Sequence, residues 1–100
     1  MRLRMEDGTV VDTDNATAAY EEKTDWDGRN HISRATGSQW DHETLYCSAK
    51  NRWYVVHTSQ WEGKLPSGEW VTPAQAAAWL ILNEHELPPE LAEAAGEVTE

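Results

Sequence analysis

The sequence has few of the residues that usually build a protein core. It contains no phenylalanine, and leucine, isoleucine and valine together make up only fifteen of its 100 residues. So few aliphatic side chains in a charged chain are typical of intrinsic disorder. Six tryptophans and three tyrosines argue against disorder, because each buried aromatic side chain removes roughly 150–250 Å² from water. We therefore expect a single small domain, residues 1–100, with a tryptophan-dependent core and an acidic, frayed tail at 96–100.

Basic residues are also scarce. Eight Lys and Arg against 18 Asp and Glu give a formal net charge of −10, which argues against direct binding of nucleic acid or an anionic membrane. The single cysteine, Cys47, excludes an internal disulfide and a cysteine-rich zinc site. No apolar run is long enough for a signal peptide or a membrane span, so we expect a cytoplasmic protein.

Turn and capping signals predict the elements of the N-terminal half. Asp7-Gly8, between alternating polar and apolar residues, predicts a hairpin over residues 2–12. Thr13 or Asp14 is a suitable N-cap for a short helix over 15–23. Residues 24–41 show no hydrophobic period and are expected to form a long loop or an irregular strand.

The strongest β signal lies in two aromatic and β-branched segments, 42–48 and 52–60, joined at Lys50-Asn51. We expect a central hairpin that pairs Cys47 with Tyr54. That register places Leu45, Cys47, Tyr54 and Val56 on one face, and Thr44, Tyr46, Trp53, Val55 and His57 on the other.

The C-terminal third contains the clearest helix signal. A short strand over 69–71 is followed by Thr72-Pro73, an N-cap with proline at the first helical position. The helix over 73–83 is apolar on all sides, so burial on more than one face is expected, and a last short helix is predicted over 89–95. The fold class is therefore α+β: an antiparallel sheet of three to five strands, one main C-terminal helix and a short N-terminal helix.

Several of these motifs together resemble a small, widely scattered family of bacterial and phage proteins. The resemblance rests on Asp7-Gly8-Thr9-Val10-Val11-Asp12-Thr13-Asp14 with Ala16, on the Glu43-Thr44-Leu45-Tyr46 strand and on the late alanine-rich helix with Trp79-Leu80. Cys47 departs from the pattern, in which a basic residue is usual. The resemblance implies a fold and a place on mobile elements of a bacterial host cell, and it implies no chemistry.

Charge is distributed unevenly along the chain. Residues 1–64 contain all eight Lys and Arg, whereas residues 65–100 contain seven glutamates and no base. Glu84 and Glu86 follow the helix C-terminus, where the macrodipole disfavours negative charge, so we interpret this third as an anionic docking face or, alternatively, as a solubilising tail. The predicted partner-binding residues are Glu69, Glu84, Glu86, Glu90, Glu93, Trp40 and Trp61, the two tryptophans because interface hot spots favour tryptophan.

No residue pattern predicts catalysis or a bound metal. His31, His42 and His57 leave open a small-ligand or metal site, but no HExxH or HxH motif is present. Cys47 is expected to act as a small core hydrophobe. We expect a non-enzymatic acidic protein without a cofactor that blocks a basic, nucleic-acid-handling partner, such as a CRISPR effector. The alternatives are a toxin–antitoxin-type partner and a small-ligand or metal-binding protein.

Overall fold

A computed structural model describes residues 1–61 and 63–96 of the chain. The α+β class is confirmed: a four-stranded antiparallel sheet has one main helix packed on it, and two small hairpins flank the sheet. The strands are β1 (Arg2–Arg4), β2 (Val10–Asp12), β3 (Ala18–Glu21), β4 (Thr24–Trp26), β5 (His31–Ser33), β6 (Asp41–Cys47), β7 (Trp53–Ser59) and β8 (Ser67–Val71). The helices are α1 (Pro73–Leu82) and α2 (Ala92–Ala95), with 3-10 turns at Thr13–Asn15 and Pro89–Leu91. The predicted tail beyond residue 96 lies outside the described residues.

The main sheet has the order β3-β6-β7-β8, and each of its faces is covered. Helix α1 packs on one face against the side chains of Leu45, Trp53 and Val55. The N-terminal hairpin β1-β2 covers the other face with Leu3, Met5 and Val11, which contact Tyr54 and Val56. The hairpin predicted around Asp7-Gly8 is therefore confirmed, and it closes the second face of the sheet.

The helix predicted over 15–23 is wrong. Asp12 caps a 3-10 turn at Thr13–Asn15, and the chain then continues as strand β3, which pairs with β6 through Ala18↔Cys47 and Tyr20↔Leu45. Ala18 and Tyr20 contact the core cluster, whereas Ala19 and Glu21 are exposed. The pairing energy of an open sheet edge has overridden a local helix propensity.

The predicted register of the central hairpin is wrong by one residue. Cys47 pairs with Trp53 instead of Tyr54. The loop has three residues, Ala49 to Asn51, closed by hydrogen bonds between Ser48 and Arg52, and Asn51 has a left-handed φ of 62°. A slip of one residue turns every side chain of β7 to the other face. Trp53 and Val55 therefore face α1, and Tyr54 and Val56 face the N-terminal hairpin.

One further expectation needs correction. Residues 24–41 contain a regular hairpin, β4-β5, whose turn is closed by Asp27, which accepts hydrogen bonds from the backbone amides of Arg29 and Asn30.

Helix α1 begins with the predicted cap, a capping box between Thr72 and Gln75. It packs against both strand β7 and the α2 segment, in agreement with the expected burial on more than one face, while its last turn leaves Ile81 and Leu82 about half exposed.

Candidate functional site

Glu84 takes part in the internal electrostatics of the fold. It follows α1 with a left-handed φ of 59°, and its carboxylate lies 3.2 Å from Lys23 Nζ and 3.3 Å from Arg34 Nη1. Hydrogen bonds from these two cations hold the pKa of Glu84 below its ordinary value. The expectation that the charge of Glu84 destabilises the helix C-terminus is therefore wrong, because Lys23 and Arg34 compensate the helix dipole.

The other predicted acidic residues are differently placed. Glu86, Glu90 and Glu93 are exposed, and within residues 1–61 and 63–96 none of the three has an ion-pair partner. Glu90 lies beside buried Leu91, which anchors this C-terminal segment in the core. Glu69, on the edge strand β8, has a carboxylate oxygen 3.4 Å from His57 Nε2.

Trp40 and Trp61 lie together at the open end of the central hairpin. Their ring centroids are 5.2 Å apart, and the Gln60 amide donates a 2.9 Å hydrogen bond to the Trp40 carbonyl. Glu90 lines a cavity with Asn51 and Trp53 at the closed end, roughly 20 Å away along the strands at about 3.3 Å per residue. The structure therefore brings the two tryptophans together and places Glu90 at the opposite end of the hairpin from them.

A cleft of about 300 Å³ lies at the same end of the hairpin: its lining includes Asp41, which follows Trp40 in the chain, and Ser59, two residues before Trp61, but neither tryptophan. It is lined by side chains from β6, β7, β8 and the adjoining loops, and the ammonium of Lys64 lies 3.7 Å from Asp41 Oδ1 at this cleft. The lining residues are Thr36, Asp41, His42, His57, Thr58, Ser59, Lys64, Leu65 and Ser67. Hydroxyl, imidazole, carboxylate and ammonium groups therefore share one concave surface.

Both histidines of the cleft are held by carboxylates. His57 Nδ1 lies 2.9 Å from Glu43 Oε2, and the other oxygen of Glu43 accepts a 3.0 Å hydrogen bond from the Trp79 indole. His42 Nδ1 contacts Glu22, a half-buried residue that also accepts hydrogen bonds from the hydroxyl of buried Ser33 and the amide of Glu43. These carboxylates make the surroundings of the cleft anionic.

The third candidate histidine lies elsewhere. The ring of His31, on β5, packs on Trp26 at 5.0 Å, and His31 does not line the cleft. Across the described parts of the chain, no group of three or more His, Cys, Asp or Glu side chains could hold a metal ion. Cys47 is buried on the α1 face of the sheet.

Sequence reasoning missed Glu43 and Glu22. The predicted register placed Glu43 and His57 on opposite faces of the hairpin, whereas the observed register makes them direct cross-strand partners. The available signal was that Glu43 and His57 both lie in the polar halves of two strands, 41–44 of β6 and 57–59 of β7, whose other halves are largely apolar. That signal could not be interpreted without the loop conformation.

No protein-family model matches this chain, and neither a curated protein nor a solved structure matches it. No helix among the described residues is long and apolar enough to cross a membrane.

Proposed function

We propose that the protein is a non-enzymatic, acidic inhibitor that binds a basic, nucleic-acid-handling protein and blocks its nucleic-acid site. The observation that supports this most is the surplus of uncompensated surface carboxylates. Glu86, Glu90 and Glu93 are exposed and have no cation partner in the described structure, and residues 65–100 contain no Lys or Arg. Such a surface resembles the phosphates that a basic nucleic-acid groove normally contacts.

The charge supports association as well as contact. A net charge of −10 on 100 residues produces a field that steers a cationic surface toward the protein and accelerates encounter, most strongly at low ionic strength. The motif resemblance to bacterial and phage proteins suggests a target in host defence. On a mobile element, that target would be a CRISPR effector or a related nuclease complex.

The test is binding to purified CRISPR effectors and nucleases, measured at about 50 mM and about 500 mM salt, because salt screens charge-driven association. We expect binding that weakens strongly at high salt and competes with the nucleic acid. We call the exposed glutamates Glu86, Glu90 and Glu93 the acidic face, and the test variant E86Q/E90Q/E93Q removes their three charges. The matched control removes three exposed charges outside it, E6Q/D14N/E21Q; among these, Asp14 contacts the N-terminal ammonium at 3.4 Å.

The two triple variants have the same net charge, so they separate a local surface from a general field. Weaker binding by the first variant alone supports the acidic face. Equal weakening by both supports the overall charge only. Affinity that is absent, or that does not respond to salt, excludes phosphate mimicry. A toxin–antitoxin partnership predicts a neighbouring gene for a basic toxin, so the gene neighbourhood tests this alternative.

The cleft supports a second candidate function, the binding of a small ligand. Two of the three histidines of the ligand hypothesis, His42 and His57, line this cleft, whereas His31 does not line it. A metabolite that binds the folded protein must raise its melting temperature by mass action. A thermal-shift screen with metabolites and with zinc therefore tests this candidate, and its failure leaves the inhibitor proposal unaffected.

A further inference from the structure

We call the 300 Å³ cleft described above the open-end cleft. We infer that the open-end cleft and the Trp40–Trp61 pair together bind an arginine side chain of the basic partner. This inference rests on the proposed function and deepens it, because it gives the acidic protein a specific anchor point. It locates that anchor at the open end of the central hairpin, the end opposite to the one at which Glu90 lies.

The tryptophan pair presents an unusual amount of aromatic surface to solvent. Trp40 is 40% exposed and Trp61 is 53% exposed. Large apolar surfaces that are exposed to solvent mark interaction sites more often than exposed polar surfaces do. The backbone on both sides is fixed, since Ser38 Oγ accepts from the Trp40 amide at 3.0 Å and Ser59 Oγ accepts from the Trp61 amide at 3.1 Å. The two indoles, whose ring planes are inclined at 45° to each other, therefore extend from backbone positions that are held by hydrogen bonds.

The charges around the cleft select a cation. Asp41 lies in its wall, and Glu22, Glu43 and Glu69 contact its two histidines. Lys64 is the one cation among the lining residues in the described structure. Of these four carboxylates, Asp41 lines the cleft and is paired with Lys64, whereas the three glutamates lie behind the two lining histidines. This surplus of carboxylates disfavours phosphates and other carboxylates, and the indole faces favour cations through their quadrupoles.

The geometry favours arginine over lysine. A guanidinium is planar, stacks on aromatic rings and offers five N–H donors, whereas an ammonium is a compact, strongly hydrated charge. The same chain already contains such a contact, because the Arg52 guanidinium lies 3.7 Å from the centroid of the Trp70 ring. At the cleft, a stacked guanidinium would find acceptors in Asp41 and in the hydroxyls of Thr58 and Ser59.

Lys64 does not block this site. Its ammonium is 3.7 Å from Asp41, and both side chains are substantially exposed. Exposed ion pairs of this kind contribute little, so an arriving guanidinium with several hydrogen bonds can replace Lys64 on Asp41.

The test uses nona-arginine and nona-lysine peptides as probes of equal charge. Affinity is measured by calorimetry at physiological salt for the wild type, W40A, W61A and D41N, with E86Q/E90Q/E93Q as the charge control. We expect nona-arginine to bind about fivefold or more tightly than nona-lysine, and each tryptophan variant to lose about fivefold of its nona-arginine affinity. In the wild type, the indole N–H resonances of Trp40 and Trp61 should shift on adding nona-arginine, and this readout needs no substitution.

The outcomes separate the two proposals. If the wild type binds both peptides equally, and neither the tryptophan resonances nor the tryptophan variants respond, the arginine anchor is refuted while the charge-based function stands. Loss of nona-arginine binding in E86Q/E90Q/E93Q alone would also refute the anchor and locate contact at the C-terminal face. If neither peptide binds at physiological salt, the proposed function itself fails.

Discussion

The side chain of Asn83 joins two parts of the chain that are sixty residues apart. Asn83 is buried at the C-terminus of α1. Its Oδ1 accepts a 2.8 Å hydrogen bond from the amide of Lys23, and its Nδ2 donates a 2.8 Å hydrogen bond to the carbonyl of Trp79. We expect Asn83→Ala to lower the free energy of unfolding by about 2 kcal/mol.

The magnitude follows from what each partner loses. The Trp79 carbonyl still accepts the backbone amide of Asn83 at 3.1 Å, so it remains satisfied and contributes little to the cost. The partly buried amide of Lys23 loses its acceptor, which costs about 1–3 kcal/mol. For a domain of this length, 2 kcal/mol corresponds to a fall in Tm of roughly 8–16 °C.

The assay is urea denaturation followed by tryptophan fluorescence, with the free energy taken at constant m-value. Leu82→Ala is the control on the same turn of α1, since Leu82 is 48% exposed and should cost less than about 1 kcal/mol. If Asn83→Ala is no less stable than Leu82→Ala, the bridge to Lys23 does not stabilise the fold and the reasoning is wrong.

Three further predictions concern the other packing and charge contacts. Gly68→Val should lower the free energy of unfolding by about 1–3 kcal/mol in urea denaturation, because a Cβ added at Gly68 would lie 2.7 Å from Met5 Sδ. The loss of stability should be smaller in a Met5→Ala background. Because the pKa of Glu84 is lowered, its ionised carboxylate stabilises the fold above the ordinary pKa of 4.5, and this stabilisation is lost as pH falls through the folded-state pKa. The Tm of Glu84→Gln should therefore fall less steeply on acidification than the Tm of the wild type. Burial raises the pKa of Tyr54 to about 12, so stability should decline as pH rises from the ordinary pKa toward that value, and Tyr54→Phe should decline less in an alkaline Tm series.

The sequence predicted those elements whose signals are local. The Asp7-Gly8 turn has its glycine at a φ of 87°, and the capping box of α1 needs only residues 72–75. In each case the side chains that define the structure lie within a few residues of one another, so tertiary context has little to override. The predicted last helix over 89–95 agrees with the 3-10 turn and α2.

The failures arose where distant segments decide. Ala18–Glu21 has residues compatible with a helix, but β6 offers an unpaired edge and Tyr20 fills a place beside Trp53, with ring centroids 6.2 Å apart. The register of the central hairpin depended on whether its loop contained two residues or three. The left-handed conformation of Asn51 made it three.

The register error also explains why the contact between Glu43 and His57 was not predicted. With Cys47 opposite Tyr54, Glu43 and His57 fall on different faces of the hairpin and cannot contact each other. With the observed pairing, His57 contacts Glu43, and Trp79 from α1 donates to the same carboxylate. Composition had indicated acidic residues and tryptophans, but their juxtaposition required tertiary structure.

The fold also changes the meaning of the charge gradient. Along the sequence, the basic residues end at Lys64 and the base-free segment begins at Leu65. In the structure, the end of α1 returns Glu84 to Lys23 and Arg34 from the first third of the chain. Glu84 is thereby part of the folding electrostatics, and its removal should affect stability more than partner affinity. Under the proposed function, the charge available to a partner would therefore lie at Glu86, Glu90 and Glu93 and around the open-end cleft, two regions that a single triple variant cannot remove together.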